Sequence, residues 1–325
     1  MSTMQMNNFM AVHDNAEGII GKFFYYSTSN LLVPKAKFIE IGEAFGLPKV
    51  KPAKESKAGA YRNATTAIKD RVTVKGATGT QVYRIYCRDN KKEDAKYITR
   101  ELVKETLNSR TNEYQKLANI CFDKENEIIF VENEVMDPDV DVHAYCQQAQ
   151  ELYVRYCTCY TADQVDAVID DILSRVQANK ISIHGNLFFI PKQFLPLLNL
   201  LEDYIAAIGE HNLNVGTVMS NSMFVVDDER QRQKMTDEFY ANYKKDIELY
   251  QDRVQHFINS GCESPAVIKR WLEKINALQQ KKATYEEILR RRLDDLEQDY
   301  RMLQMQGQEL AVRNVKGQMA IPMAA

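Results

Sequence analysis

The chain has 325 residues, 45% of them hydrophobic and 27% charged, with a formal net charge of -3. That is the make-up of an ordinary globular protein long enough for two domains, and it excludes a globally basic nucleic-acid coat. No apolar run approaches the roughly 18–20 residues of a membrane span.

The first residues, MSTMQMNNFMAVHDNAEG, lack a basic segment followed by an apolar one, so no secretory signal is expected. The expected setting is cytoplasmic, with no membrane contact. The six cysteines follow no secreted disulfide framework. His143, Cys146, Cys157 and Cys159 suggest zinc, but their segment reads as a helix. Cys146 and Cys157 would then stand roughly 16 Å apart, too far to share one ion, so no metal site is expected.

In chain order, residues 1–30 read as a polar segment apart from Ile19–Tyr26. Phe38, Ile41 and Phe45 have helical spacing, ended by Gly46-Leu-Pro48. After a Lys/Pro/Ala loop, Tyr61, Ala64, Ala67 and Ile68 predict a second short helix. Alternating β-branched and aromatic residues then predict an antiparallel meander over 70–132, including a hairpin about Gly76-Ala-Thr-Gly79. Two helices follow, Val142–Tyr160 and Val165–Val176, with Thr161 as N-cap of the second. Residues 180–226 read as hairpin, helix and hairpin, the second hairpin formed by Val215–Met219 and Met223–Val226.

The last third carries a seam at spacings of 3 and 4. Its residues are Tyr240, Tyr243, Ile247, Tyr250, Val254, Phe257, Trp271, Ile275, Leu278, Leu289 and Leu296, with Lys282 interrupting it. Two helices of roughly 30 and 40 residues, about 45 and 60 Å long, are expected to fold back on each other. The expected class is α+β: an antiparallel β-rich body with packed helices and a long, coiled-coil-like C-terminal helical hairpin as an arm. The expected divisions are 1–30 (polar segment), 31–132 (basic helix-loop-helix and meander), 133–226 (acidic helices and hairpin-helix-hairpin), 227–308 (helical hairpin) and 309–325 (flexible tail).

Charge divides the chain. Residues 48–104 hold fifteen Lys/Arg against six Asp/Glu; residues 123–175 hold thirteen Asp/Glu against three Lys/Arg. Helix, loop, helix and hairpin in that order is the layout of a winged helix-turn-helix. It makes Lys49, Lys51, Lys54, Lys57, Arg62, Lys69, Arg71, Lys75, Arg84 and Arg88 candidate phosphate contacts. The dozen-residue inter-helix loop is longer than that motif uses. A solvated or protein-facing basic surface is the competing reading.

No enzyme motif is complete. His184, beside Gly185 in KISIHGNLFFIP, has no nucleophile or carboxylate at a recognisable spacing and reads as a turn residue. Asp137, Asp139 and Asp141 begin like a calcium loop, but Val142 and Gln148 stand where Gly and Glu are needed. They read better as an N-cap and acidic helix start, with a metal-dependent hydrolase or nuclease as the alternative. No catalytic residue and no cofactor are expected.

Gly-Asn-Leu-Phe-Phe-Ile-Pro191 ahead of an apolar helix, with Gly46-Leu-Pro48 and Ala60-Tyr-Arg-Asn-Ala64 upstream, resembles an uncharacterised family of bacteriophage and mobile-element proteins. The resemblance implies a phage or plasmid accessory protein and transfers no catalytic residue. The expectation is a non-enzymatic interaction protein. It would assemble through the C-terminal seam and contact an anionic partner, nucleic acid first, through the basic region. A structural or adaptor protein acting only through protein contacts is the alternative.

Overall fold

The computed structural model describes residues 18–47, 56–76, 79–90, 96–107, 113–181, 185–262 and 264–319. The elements in order are β1 (Ile19–Thr28), β2 (Leu32–Pro34), α1 (Lys35–Ala44), α2 (Lys57–Ala67), β3 (Lys69–Gly76), β4 (Gly79–Asp89) and β5 (Tyr97–Thr106). Next come β6 (Tyr114–Asp123), β7 (Ile128–Glu132), α3 (Val142–Thr158), β8 (Cys159–Thr161), α4 (Ala162–Arg175), β9 (Asn179–Lys180) and β10 (Leu187–Pro191). The chain finishes with α5 (Leu195–Gly209), β11 (Val218–Val226), α6 (Glu229–Asn259), α7 (Pro265–Leu289) and α8 (Glu297–Met319). The class is α+β, with antiparallel sheets. Among the described residues no helix is long and apolar enough to cross a membrane.

Contacts divide the chain into two units. One comprises Thr28–Val168 and Ala207–Val218. Its centre is the meander β3-β4-β5-β6-β7, each strand antiparallel to the next. Alternation sends Ile85, Cys87, Leu102, Ala118, Ile120 and Phe122 to one face, where they join Tyr61 of α2 and Cys146 and Ala149 of α3. Tyr61 stacks on Phe122 with centroids 5.4 Å apart, and its hydroxyl donates to the Ile120 carbonyl at 2.7 Å. Ser56 caps α2 by accepting from the Gly59 amide at 3.0 Å. Beyond α3, Gln164 reaches back from the first turn of α4 to accept from the Thr161 amide at 3.0 Å, half of a capping box.

The other unit comprises the chain up to Ser27, Ile169–Ala206 and everything from Met219 onward. Its sheet runs β11-β1-β10-β9. The segment expected to be a polar lead therefore supplies an inner strand, with Phe23 opposite Phe189 and Phe24 opposite Phe188. Within KISIHGNLFFIP, Lys180 lies opposite Phe188, with Asn179–Lys180 antiparallel to β10; Ser182, Ile183 and His184 lie outside the described residues. The second expected hairpin is instead one continuous strand, β11.

The C-terminal pattern forms α6 and α7, and a third helix, α8, packs on both. The expected 40-residue helix breaks at Arg290, which adopts a left-handed conformation (φ 53°). Beyond the break, Leu293, Leu296, Tyr300 and Leu303 join the same core. Lys282, the apparent interruption, is buried and bridges helices by pairing with Glu286 at 3.3 Å and Glu297 at 3.0 Å. The chain stays helical past 308, where a flexible tail was expected.

The seam expected to meet a partner is filled from within the chain. Tyr243, Ile247, Val254, Trp271, Ile275, Leu278, Leu289 and Leu296 are buried, and Tyr240, Tyr250 and Phe257 pack against them. The same cluster takes in Ile20, Phe189 and Val225 from the sheet. Phe239 stacks on Tyr285 at 4.1 Å, and Tyr285 meets the Phe189 ring edge-on at 5.9 Å. The tyrosine-rich seam is thus the core of a helix-on-sheet layer and not a free arm.

Gly21 marks where that layer is tightest: a Cβ there would run into the Ile190 carbonyl oxygen and the Phe189 ring. Gly21→Ala should destabilise the protein by about 1–3 kcal/mol, the usual cost of overpacking. Chemical denaturation should show a lower midpoint; an unchanged midpoint would contradict the close approach of β1 and β10.

Candidate nucleic-acid interface

The face of the meander away from α2 and α3 gathers much of the chain's basic region. Register places Lys69 opposite Tyr86, Arg71 opposite Arg84 and Lys75 opposite Thr80. On the next strand Glu105 lies opposite Arg84, Val103 opposite Tyr86 and Glu101 opposite Arg88. One strand further, Tyr114 faces Glu105 and Lys116 faces Val103. Directly opposed residues share a face, so these side chains form one surface.

Contacts on the other side confirm the division. The Asp70 carboxylate accepts from the Tyr145 hydroxyl of α3 at 2.6 Å, and Arg100 reaches the Arg62 carbonyl of α2 at 3.2 Å. Residues alternating with these point away from the helices.

Aromatic rings sit between the cations of the open face. The Arg84 guanidinium lies 4.7 Å from the Tyr86 ring centroid, and Arg88 lies 5.6 Å from that of Tyr114, which is half exposed. Arg88 and Lys116 both pair with Glu101, at 2.9 and 3.3 Å. Burial pushes the Glu101 carboxyl up, but hydrogen bonds from Arg88 and Lys116 outweigh it and hold it below the usual carboxylate range. Burial and the neighbouring Glu105 push the Tyr86 phenol up, keeping it neutral.

Arg84 has only a 4.0 Å contact with Glu105. Lys69, Arg71 and Lys75 are exposed and have no acidic partner among the described residues. Arg71 and Arg84 are therefore like charges set directly across from each other, an unfavourable pairing in a sheet. Lysine on an exposed edge strand also discourages pairing with another chain, which accounts for part of the pattern on β3. It does not account for the row continuing onto β4 and β6.

The remaining candidates lie elsewhere. Lys49, Lys51 and Lys54 fall outside the described residues. Lys57 and Arg62 are on α2, and Lys57 is paired with Glu127 at 2.5 Å. Sequence reasoning missed Lys116, Tyr86 and Tyr114. Alternation within β4 places Tyr86, but strict alternation in β6 would put Tyr114 and Lys116 on the core face with Ala118, Ile120 and Phe122. The irregularity that skips Leu117 turns them to the open face, so only cross-strand register unites them with Arg84 and Arg88.

The helix-turn-helix expectation is corrected. α1 packs on β2 and β8, whereas α2 packs on α3 and β4. The face of α2 bearing Ala60, Tyr61, Ala64 and Thr65 is buried. The two helices do not form a recognition pair, and the wing-like hairpin is simply the edge of a five-stranded sheet.

The acidic cluster also has a structural occupant. Lys104 Nζ donates to Asp137 Oδ1 and Oδ2 at 2.9 and 3.1 Å and to Asp139 Oδ2 at 2.9 Å, and lies 4.1 Å from the Tyr83 ring centroid. Asp141 caps α3 by accepting from the Ala144 amide at 3.0 Å. An ammonium thus holds the position that a hydrolase would give to its metal ion. Among the described residues no group of three or more His, Cys, Asp or Glu could hold one.

Burial opposes charge on both partners, but mutual hydrogen bonds win: the Lys104 amine is held above and the Asp137 carboxyl below its ordinary range. With the carboxyl depressed, its contribution to stability is present above the unfolded value near pH 4 and is lost as pH falls through the folded one. With the amine raised, its share persists below about pH 10 and is lost above the folded value. Lys104→Met leaves Asp137 buried and unpaired and should cost about 3–5 kcal/mol at neutral pH. Denaturant titrations at neutral and acidic pH should show that deficit shrinking on acidification; a pH-independent deficit would contradict the pairing.

Among curated proteins, no match to the chain is found. The model of the Family of unknown function (DUF6744) matches residues 19–319. That span opens at the first residue of β1 and closes at the last residue of α8, so it takes in both units, the meander with its charged face as well as the helix-on-sheet layer. The chain belongs to the DUF6744 family.

Proposed function

We propose that the protein is a non-enzymatic interaction protein that contacts nucleic acid through the open face of the meander. The observation that carries this reading is the Arg71–Arg84 opposition, weakly offset by the 4.0 Å contact of Arg84 with Glu105, flanked by Lys69 and Lys75 and continued by Arg88, Lys116, Tyr86 and Tyr114. A bound polyanion would relieve the repulsion between Arg71 and Arg84. Cations interleaved with rings on a flat sheet suit a single strand, whose phosphates take the charges and whose bases stack on the rings. A duplex groove reader would instead need a projecting helix or ribbon. The phage or mobile-element setting is part of the proposal and rests on the resemblance of GNLFFIP and its companion motifs. Cytoplasmic location belongs to the same reading.

A role in protein contacts is favoured by a second surface. β11 is an edge strand and exposes Met219, Met223 and Phe224. Self-association would use such a face, because the helical seam is already filled within the chain.

Fluorescence anisotropy with a labelled single-stranded oligonucleotide at low salt tests the main reading. Binding should weaken linearly in log salt. The Lys69→Glu/Arg71→Glu/Lys75→Glu variant should flatten that slope by about 2, from roughly 0.7 per phosphate contact on a single strand. Absence of binding at low salt, or a variant with an unchanged slope, would overturn the proposal.

A further inference from the structure

A second polar site lies on the opposite side of the same sheet, where the end of β4 and the start of β5 meet α2. Arg62, Thr66, Asp89 and Arg100 line a cleft there. It does not depend on the open face, because Arg100 points toward α2 and Asp89 is its direct cross-strand neighbour.

Arg100 is 8% exposed, and its two edges are used unequally. Nη1 donates to the Arg62 carbonyl at 3.2 Å and to the Thr65 and Thr66 hydroxyls at 3.0 and 2.6 Å. These bonds hold the guanidinium against the C-terminal half of α2. The edge formed by Nε and Nη2 is different. Nη2 makes one bond, to the Cys87 carbonyl at 3.3 Å, and so keeps a second proton. Nε is buried and makes no aligned hydrogen bond; it has only an ion-pair contact with Asp89 Oδ1 at 3.0 Å.

That edge is the one with which arginine grips an oxyanion through two parallel bonds. Besides the Cys87 carbonyl on Nη2, it meets a carboxylate whose side chain is 82% exposed and so has little packing to hold it. Across the cleft, the exposed Arg62 guanidinium has no acidic partner among the described residues.

We propose that this cleft is an oxyanion site for a phosphate group. In it Arg100 is the buried fork, Arg62 the exposed second cation, Thr66 a neutral hydroxyl contact, and Asp89 a counter-ion that gives way when phosphate enters. The arrangement of a buried arginine beside an exposed one suits a tetrahedral dianion better than a single carboxylate, since two guanidinium groups can each take two oxygens. The phosphate could be free or the terminal group of a nucleotide; both present the same oxygens to the cleft.

Isothermal calorimetry on the full chain tests this with inorganic phosphate, adenosine 5'-monophosphate and adenosine. Phosphate and the monophosphate should bind at millimolar concentrations or below, and adenosine should not. Equal affinity for the two points to free phosphate as the occupant; tighter binding of the monophosphate points to a nucleotide. Asp89→Asn removes the competing carboxylate and should tighten binding, whereas Arg62→Gln should weaken it by about tenfold or more, the loss of a charge-assisted contact. Both side chains are exposed, and Asp89→Asn keeps an amide oxygen where the carboxylate meets Arg100 Nε, so both variants should fold. No heat from either phosphate, or affinities untouched by both substitutions, would overturn the site.

Discussion

The pleat of the five-stranded meander is the constraint on which the rest of its unit depends. A strand sends neighbouring side chains to opposite faces, so burying Ile85, Cys87, Leu102, Ile120 and Phe122 under two helices forces the alternating residues outward. Those residues are Arg71, Arg84, Tyr86 and Arg88, and a bulge at Leu117 adds Lys116 from β6. A register slip of one residue would bury the charges and expose the core, so folding itself secures the open face. Two buried cations turned inward, Arg100 and Lys104, are accepted because each finds partners: the C-terminal half of α2 for one, Asp137 and Asp139 for the other.

The same economy governs the other unit. Its long helices bury tyrosines, and several of those hydroxyls find backbone acceptors. Tyr285 donates to the Gln177 carbonyl at 3.0 Å and Tyr300 to that of Ile275 at 3.2 Å. Tyrosine at a seam position is bulky for a slim two-stranded coil but suits a layer of three helices on a sheet, which has more depth to fill. The pattern that resembles a coiled coil is therefore satisfied by α8, β1 and β10 instead of by a second chain.

Local features were legible in the sequence. Alternation between Val72 and Val131 marked the meander, and Thr161 marked the start of α4. What failed was long-range. Nothing near Ile19 announces that it enters a sheet with Phe188 and Phe189, some 170 residues away. The spacing of α1 and α2 suggested a helix pair because sequence order stands in for proximity, yet each helix found a different surface. Arg290 broke a helix without glycine or proline to signal it. The candidate site was half legible: the cations could be counted, but their sorting onto two faces depends on register. Asp137 and Asp139 looked like ligands because their cation, Lys104, lies more than thirty residues upstream.

The central claim is spatial: nucleic acid lies across the open face of β3, β4, β5 and β6. Photo-crosslinking of a single-stranded oligonucleotide, followed by mass mapping of the modified peptides, addresses it most directly. The account predicts adducts at Tyr86 and Tyr114, the two rings set among the cations of that face. Adducts confined to peptides outside β3–β6, or none under conditions where the oligonucleotide binds, would contradict it.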